Sequence, residues 1–572
     1  MKKASRQPFC LKLIAIAEDE ATREFMAVIE FSDIDGQVRR LEQPKSSLRK
    51  IEQLKEALDN AGAYLSTNDR ECRDAIRALS NSADTAARWK FAASLGWYDG
   101  HRAFVLPDRV IGRPKGDARI LPPRCLTNQQ RFELGCNGSH RKWKRLVAKP
   151  ARRSSCMVLG ICMALAAPLL DFLDFHSYGI LLSAPSKSGK STALVAAGSV
   201  IGIGREQDLP NFRITDPALG ELPATFNDLL MPLNELGLLK GRTTDRHERV
   251  RDFAYGLAEG RGTTYSKLAP RDGENRRAQW RCLTLGTGEE TFDQIALAAG
   301  EYRAMGAAIR WIDLRATLRG LKDIFDRCPT SVPADDRATW VRRHCQRLRR
   351  AAADNHGVAF THFIKRIIKR RGKIATRLQP LIDEFIKNAV DDADEPAIHH
   401  LASCFGLIRA AGILGVRFGT LPYSEKFVDR CIMRCYRAAK RGLRTDTELL
   451  RSGLRRLRAK LESSNLLKVV GKKRHCANAF RVADGYMDRS GSSFTVTIRA
   501  EKFKGWFDDP RQPALVLRWL HSKKVLPSKP TLPAKPGNAI VWAESQPEWP
   551  DGGRPRSVVI ELSARLLDLI EV

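Results

Sequence analysis

A chain of 572 residues, 43% hydrophobic and 28% charged, has room for several domains and is too apolar for global disorder. Lys and Arg number 97 against 65 Asp and Glu. The resulting net charge of +32 points to a polyanionic partner, nucleic acid before membrane, or else to a generally basic proteome.

Thirteen cysteines without a C-x-x-C pair fit reduced thiols in a cytosolic protein better than a disulfide framework. Cys431 and Cys435 lack the neighbouring His or Cys pair that zinc needs, so no zinc site is expected. The segment Met1–Arg6 opens no apolar signal region, and the expected location is the bacterial cytoplasm.

Residues 1–127 read as an α+β domain. Phe25 to Phe31 and Gln37 to Leu41 predict a hairpin around Asp33-Ile34-Asp35-Gly36, a turn without the downstream acids of a calcium loop. Ser46 to Ala63 carries Leu48, Ile51, Leu54 and Leu58 at helical spacing. Short strands and turns are expected at Gly96-Trp97-Tyr98, Phe104 to Pro107 and Val110 to Gly112. Residues 128–154 are a basic linker. His140 to Arg145 mixes cations with an aromatic, which suits a phosphate backbone or a solvated helix equally.

Residues 155–325 hold the chemistry. Cys156 to Phe175 is apolar, but Pro168, Asp171 and Asp174 interrupt it, so it predicts a buried helix rather than a membrane span. Ile180-Leu181-Leu182 then runs into Ser183-Ala184-Pro185-Ser186-Lys187-Ser188-Gly189-Lys190-Ser191-Thr192, followed by a helix-compatible stretch. Strand, small-residue loop ending in Gly-Lys-Ser, and helix is the order of a phosphate-binding P-loop, although Ala184 stands where that pattern has Gly. Residues Ser186 to Thr192 would bind nucleotide, with Lys190 on the β- and γ-phosphates and the Ser191 hydroxyl on Mg²⁺.

The apolar run Leu229 to Leu233 ends in Asn234-Glu235, as a strand supplying two acids to such a site would. Glu235 is the candidate base. Asn234 reaches Mg²⁺ only through water and brings no charge; Asp228 is the other nearby acid. A basic, Gly-rich stretch with Arg261, Lys267, Arg276 and Arg277 predicts a projecting hairpin that grips nucleic acid. A third buried strand, Trp280 to Leu285, ends in Gly286-Thr287-Gly288-Glu289, where Thr287 would sense phosphate. Arg303 or, preferably, Arg310 would be an arginine finger offered to a neighbouring subunit.

Residues 326–442 predict a helical domain: Trp340 to Ala351, Phe360 to Ile368, Ile374 to Val390, His399 to Gly412 and Glu425 to Ala439. Lys365, Arg366, Lys369, Arg370, Arg371 and Lys373 form a basic patch, a solvated face or a DNA contact. Residues 443–572 predict a winged-helix-like DNA-binding region. It has helices at Leu449 to Leu461, with Arg455 and Arg456, and at Pro513 to Lys523. Strands at Ile540 to Trp542 and Val558 to Ile560 would flank a Gly turn.

Taken in order, these residues resemble a bacterial and prophage family known as domain of unknown function nine-two-seven. The resemblance rests on Gly96-Trp97, Phe104 to Pro107, Ser186 to Leu194, Asn227-Asp228, Asn234-Glu235, Asp272-Gly273, Trp280-Arg281 and Thr287-Gly288-Glu289, within residues 10–440. It implies an α/β P-loop NTPase core, AAA+ or superfamily-three-helicase-like, using ATP and Mg²⁺ and assembling as a homo-oligomer, possibly a hexameric ring. Three departures weaken the expected hydrolysis. Asn234 stands for Asp, Gly286 for Ser, and Gly262-Thr263 for Gly-Lys. The leading expectation is an ATP-dependent DNA helicase or translocase for a mobile element. The alternative is a DNA-binding protein with a decayed ATP site that binds nucleotide with little hydrolysis. No carboxylate cluster in the first 150 residues supports a primase.

Overall fold

A computed structural model describes residues 10–124, 134–213, 215, 220–262, 279–392, 394–443, 445–463, 466–469, 483–490, 493–509, 511–523, 525–526 and 557–562. The chain forms two compact units. One comprises residues 1–295 and 306–442, the other residues 296–305 and 443–572.

The first unit begins with strands β1 (Leu11–Asp19), β2 (Phe25–Ser32) and β3 (Val38–Pro44). The expected hairpin is present: β2 and β3 pair antiparallel around the Asp33 turn. The Asp33 carboxylate accepts from the backbone N–H of Asp35 and Gln37, so it closes a turn as short acidic side chains do. Strands β4 (Ala87–Phe91) and β8 (Arg119–Leu121) complete a sheet in the order β3-β2-β1-β4-β8. Helices Ile51–Asn60 and Asp69–Asn81 bury Leu54, Leu58, Cys72, Ile76 and Leu79 against it. The short strands β5 (Gly96–Tyr98), β6 (Ala103–Val105) and β7 (Val110–Gly112) form a separate antiparallel sheet.

A four-stranded parallel sheet positions the site. Its strands are β9 (Tyr178–Ser183), β10 (Leu230–Leu233), β11 (Leu283–Gly288) and β12 (Trp311–Arg315), in the order β10-β11-β9-β12. Every residue of β9, β10 and β11 is buried, as expected of parallel strands covered on both faces. Helix Ser155–Ala166 is buried along its whole length, and helix Lys190–Ile201 nearly so, consistent with their apolar composition all round. Gly160 permits the approach: an added Cβ would lie 3.0 Å from Leu285 and 3.1 Å from Ala197.

The expected helical region is present as Arg337–Asp354, Val358–Ile368, Ile374–Ala389, Pro396–Arg417 and Glu425–Gly442. Pro396–Arg417 packs between its two neighbours and Ser155–Ala166. Arg409 is buried within it, paired to Asp429 at 2.6 Å and Glu384 at 3.0 Å. Among the described residues two helical stretches, Ser155–Phe172 and Pro396–Arg417, are long and apolar enough to cross a membrane, yet 89% and 78% of their apolar windows are buried inside the protein. Both are core elements.

The second unit has helix Asp446–Ser463, strands β13 (Leu466–Val469), β14 (Gly485–Ser490), β15 (Ser493–Arg499) and β16 (Ser557–Leu562), and helices Ala500–Gly505 and Gln512–Ser522. The strand expected at Val558 to Ile560 is β16, but its partner is β15, antiparallel. The expected partner at Ile540 to Trp542 lies outside the described residues. The hairpin is instead β14–β15, and Phe494, Val496 and Ile498 alternate with Ser, Thr and Arg along β15, so its strand signal is present in the sequence. Leu454, Leu457, Val496, Ile498, Val516, Leu520 and Ile560 form a core of its own.

Candidate functional site

The β9 strand ends at Ser183, and after six intervening residues the helix Lys190–Ile201 begins. The absent glycine at 184 has no conformational cost here, because the positive φ angles fall on Lys187 (59°) and Gly189 (103°), not on Ala184. Gly189 is also close-packed; an added Cβ would meet Phe325 at 3.1 Å. No side chain caps the helix, so its first backbone N–H groups are left facing the loop without an intrahelical acceptor. Ser183 and Ser188 have buried hydroxyls without a partner, while Ser186 and Lys187 are exposed and Ser191 is half-buried. Open N–H groups, orphaned hydroxyls and the positive end of a helix fit the phosphates of a nucleotide.

Lys190 is buried at 5% exposure, and its ammonium lies 3.6 Å from the Glu289 carboxylate. Sequence reasoning placed Glu289 at a strand end but gave it no role. Parallel register sets the rest of the site. Leu233 pairs with Gly286, which brings Asn234 level with Thr287. The Thr287 hydroxyl donates to Asn234 Oδ1 at 2.8 Å and accepts from the Glu235 backbone N–H at 3.0 Å. Glu235 has φ 56°, a left-handed turn that ends the strand. The Asn234 backbone is itself held, its N–H donating to Pro210 O at 2.8 Å. The three residues proposed as base, metal contact and sensor therefore form one bonded unit at the strand ends.

Asp228 is not an alternative acid for this site. It precedes β10, at the opposite end of the sheet, and its oxygens accept from Trp97 N–H at 2.9 Å and from Arg281 Nε at 2.8 Å. Arg281 also pairs with Asp171, which bonds His101 Nε2 at 2.7 Å. Asn227 accepts from Arg281 N–H and donates to Leu95 O, both at 2.8 Å. Burial pushes the Asp228 carboxyl up to about 6, with Arg281 and the Trp97 N–H opposing it, whereas the His101 bond leads in holding Asp171 below the usual carboxylate range. Gly96 has φ 96°, and a Cβ there would run into the Asp228 carboxylate. Three of the sequence motifs, Gly96-Trp97, Asn227-Asp228 and Trp280-Arg281, thus converge on one structural junction.

Other expected residues take different surroundings. Thr192 is fully buried, and its hydroxyl accepts from Arg349 Nε at 2.8 Å, which ties the P-loop helix to helix Arg337–Asp354. Arg310 lies before β12, at the sheet end away from the P-loop, donating to Gly306 O at 2.8 Å with its guanidinium 4.8 Å from the Tyr255 ring centroid. Arg303 is buried and belongs to the other unit. Arg261 is exposed and bridges antiparallel to Gln279, the base of the expected hairpin, whose Lys267, Arg276 and Arg277 lie outside the described residues. Lys369 is exposed, while Arg370 stacks 5.2 Å over Phe418. Arg455 is exposed, and Arg456 pairs with Asp508.

Comparison with known proteins agrees with this architecture. Residues 7–280 match the family model described as a domain of unknown function (DUF927), the family that the motifs of this stretch resemble. No curated protein matches the chain. A solved structure titled "SCCmec type IV Cch - active helicase" shares the fold at TM-score 0.62 and 15% identity, covering 100% of this chain and 96% of that one. The apo C-terminal region of NrS-1, at TM-score 0.22 and 10% identity over 74% of this chain and 91% of that one, is too distant to carry an argument. The fold is therefore an α/β core of the kind found in that helicase.

Proposed function

We propose that the chain is an ATP-dependent DNA helicase or translocase, AAA+ or superfamily-three-like, serving replication of a mobile genetic element or prophage in the bacterial cytoplasm. The observation that carries the reading is the uncapped P-loop helix with its buried Lys190 and orphaned Ser183 and Ser188 hydroxyls, set beside the bonded Asn234–Glu235–Thr287 unit. Mg²⁺ and ATP would supply the phosphoanhydride bond and the cation that neutralises its developing charge. The loop N–H groups from Ser186 to Ser191 would hold phosphate oxygens, Lys190 would neutralise them, and the Ser191 hydroxyl would serve Mg²⁺. Glu235 orients and deprotonates water, and Thr287 fixes the backbone that carries it.

DNA is gripped by cations in this scheme: Arg261, Lys267, Arg276 and Arg277 from the basic, Gly-rich stretch, Lys369 and Arg370 from the helical domain, and Arg455 and Arg456 from the C-terminal unit. Assembly into a ring, with Arg310 acting on a neighbour's site, follows by analogy of fold. Arg310 would then have to leave Gly306 and Tyr255.

One observation favours a second reading. Asn234 replaces a charged acid and spends its carbonyl on Thr287, which suits a chain that binds ATP yet hydrolyses it slowly. ATP turnover by the full chain, with and without single-stranded DNA, beside Lys190→Ala, separates the two. DNA-stimulated turnover lost in the variant supports a motor. Tight binding without turnover favours the weakened site, and unwinding at the normal rate by Lys190→Ala refutes the assignment.

A further inference from the structure

We infer that Glu289 supplies the carboxylate that Asn234 lacks: it holds the Lys190 ammonium when no nucleotide is bound and faces Mg²⁺ when Mg·ATP is bound. The inference rests on the ATP-site reading above. Glu289 follows β11, the strand that lies between the P-loop strand and the strand ending in Asn234. Its neighbour Gly288 accepts from Ala184 N–H at 3.1 Å, so the Glu289 backbone is tied to the first residue of the loop. Its carboxylate is 3.6 Å from Lys190 and 53% exposed, close to the phosphate cradle yet open to a cation.

Glu235 is assigned to water in that reading, and two further polar groups at these strand ends are less suited to the task. Asn234 carries no charge, and its carbonyl already accepts from Thr287. Glu290 is drawn aside to Arg246 at 3.1 Å. A hard dication such as Mg²⁺ is held by one or two carboxylates together with substrate phosphates, and a neutral amide is a poor replacement. Phosphates reaching Lys190 would compete with Glu289 for its ammonium, and the displaced carboxylate is then beside the incoming Mg²⁺.

The consequence is an opposite effect of one substitution in two buffers. The full chain is titrated with a fluorescent ATP analogue in EDTA and again in Mg²⁺. Wild type binds about tenfold tighter with Mg²⁺. In Glu289→Gln the EDTA affinity rises about threefold, because Lys190 loses its competitor, and the Mg²⁺ advantage shrinks to less than about twofold. Adding Asn234→Asp to Glu289→Gln brings much of the Mg²⁺ advantage back. Glu290→Gln, with the same charge change next door, leaves it intact.

Retention of the full Mg²⁺ advantage by Glu289→Gln overturns the inference while leaving the ATP site standing. Equal, weak binding by wild type and Lys190→Ala in both buffers overturns the ATP site itself and the Glu289 role with it.

Discussion

The two ends of the β10-β11-β9-β12 sheet are built from the same kinds of residue to opposite purpose. At the P-loop end the polar groups are under-satisfied. The helix is uncapped, Ser183 and Ser188 lack partners, and Lys190 meets a half-exposed carboxylate. At the other end the charges are matched, with Asp228 and Asp171 sharing Arg281 and His101 bonded to Asp171. Orphaned buried polar atoms are costly, and a fold retains them where a ligand completes them; matched charges hold the fold together and need nothing further. Motif density in sequence does not separate the two cases. Partner counting in three dimensions does.

The contrast is sharpest at Asp228. Asp228→Ala leaves Arg281 with Asp171 alone and strands the Trp97 N–H, so unfolding free energy should fall by about 2 kcal/mol. Chemical denaturation measures this, and ATP affinity of the folded fraction should be unchanged. Loss of nucleotide binding in a folded Asp228→Ala chain breaks the distinction between the ends.

The same residue predicts a pH dependence. Its folded value, about 6, is raised above the ordinary 3.8. The folded state therefore holds the proton more tightly, and the contribution is present below about 4 and lost as pH rises toward 6. Wild type should lose about 1–3 kcal/mol relative to Asp228→Asn across that window and stay level above it. A flat difference between pH 4 and 6 contradicts the buried-carboxyl account.

At the P-loop end the expected effects fall on turnover rather than folding. Thr287→Val removes the hydroxyl shared by Asn234 and the Glu235 backbone, and should lower turnover about tenfold with nucleotide affinity held. A loss of affinity equal to the loss of turnover would make Thr287 a binding residue instead. Arg349→Ala removes the bond to Thr192 and should cost about 1 kcal/mol of stability, read from a melting curve. Arg456→Ala breaks an exposed pair with Asp508 and should cost less than about 1 kcal/mol, while weakening DNA binding more at low salt than at high.

Much of the site was legible because it is local. An apolar run, a small-residue loop and Gly-Lys-Ser prescribe strand, turn and helix from neighbours in sequence alone, and the Asn234-Glu235 and Thr287 strand ends follow from burial patterns. The Asp33 turn and the long helices were legible for the same reason: their periodicity or turn chemistry lies within a single element.

What only the tertiary structure decided depends on register and on contacts between distant segments. Leu233 paired with Gly286 makes Thr287 serve Asn234 and Glu235 across more than fifty positions, a separation of 52 for the Glu235 bond. Asp228 reads as a spare catalytic acid until its bond to Trp97, 131 residues away, places it at the far end of the strand. The Thr192 hydroxyl has no visible partner in sequence until Arg349 donates to it, and Glu289 has no visible role until the sheet sets its carboxylate against Lys190. The sequence by itself determined that this chain carries a strand, a small-residue loop ending in Gly-Lys-Ser and a helix, with the strands that flank them. Which charges remain open to a ligand was decided by strand order, because each strand's ends are matched or left unmatched only by the neighbour that lies beside it.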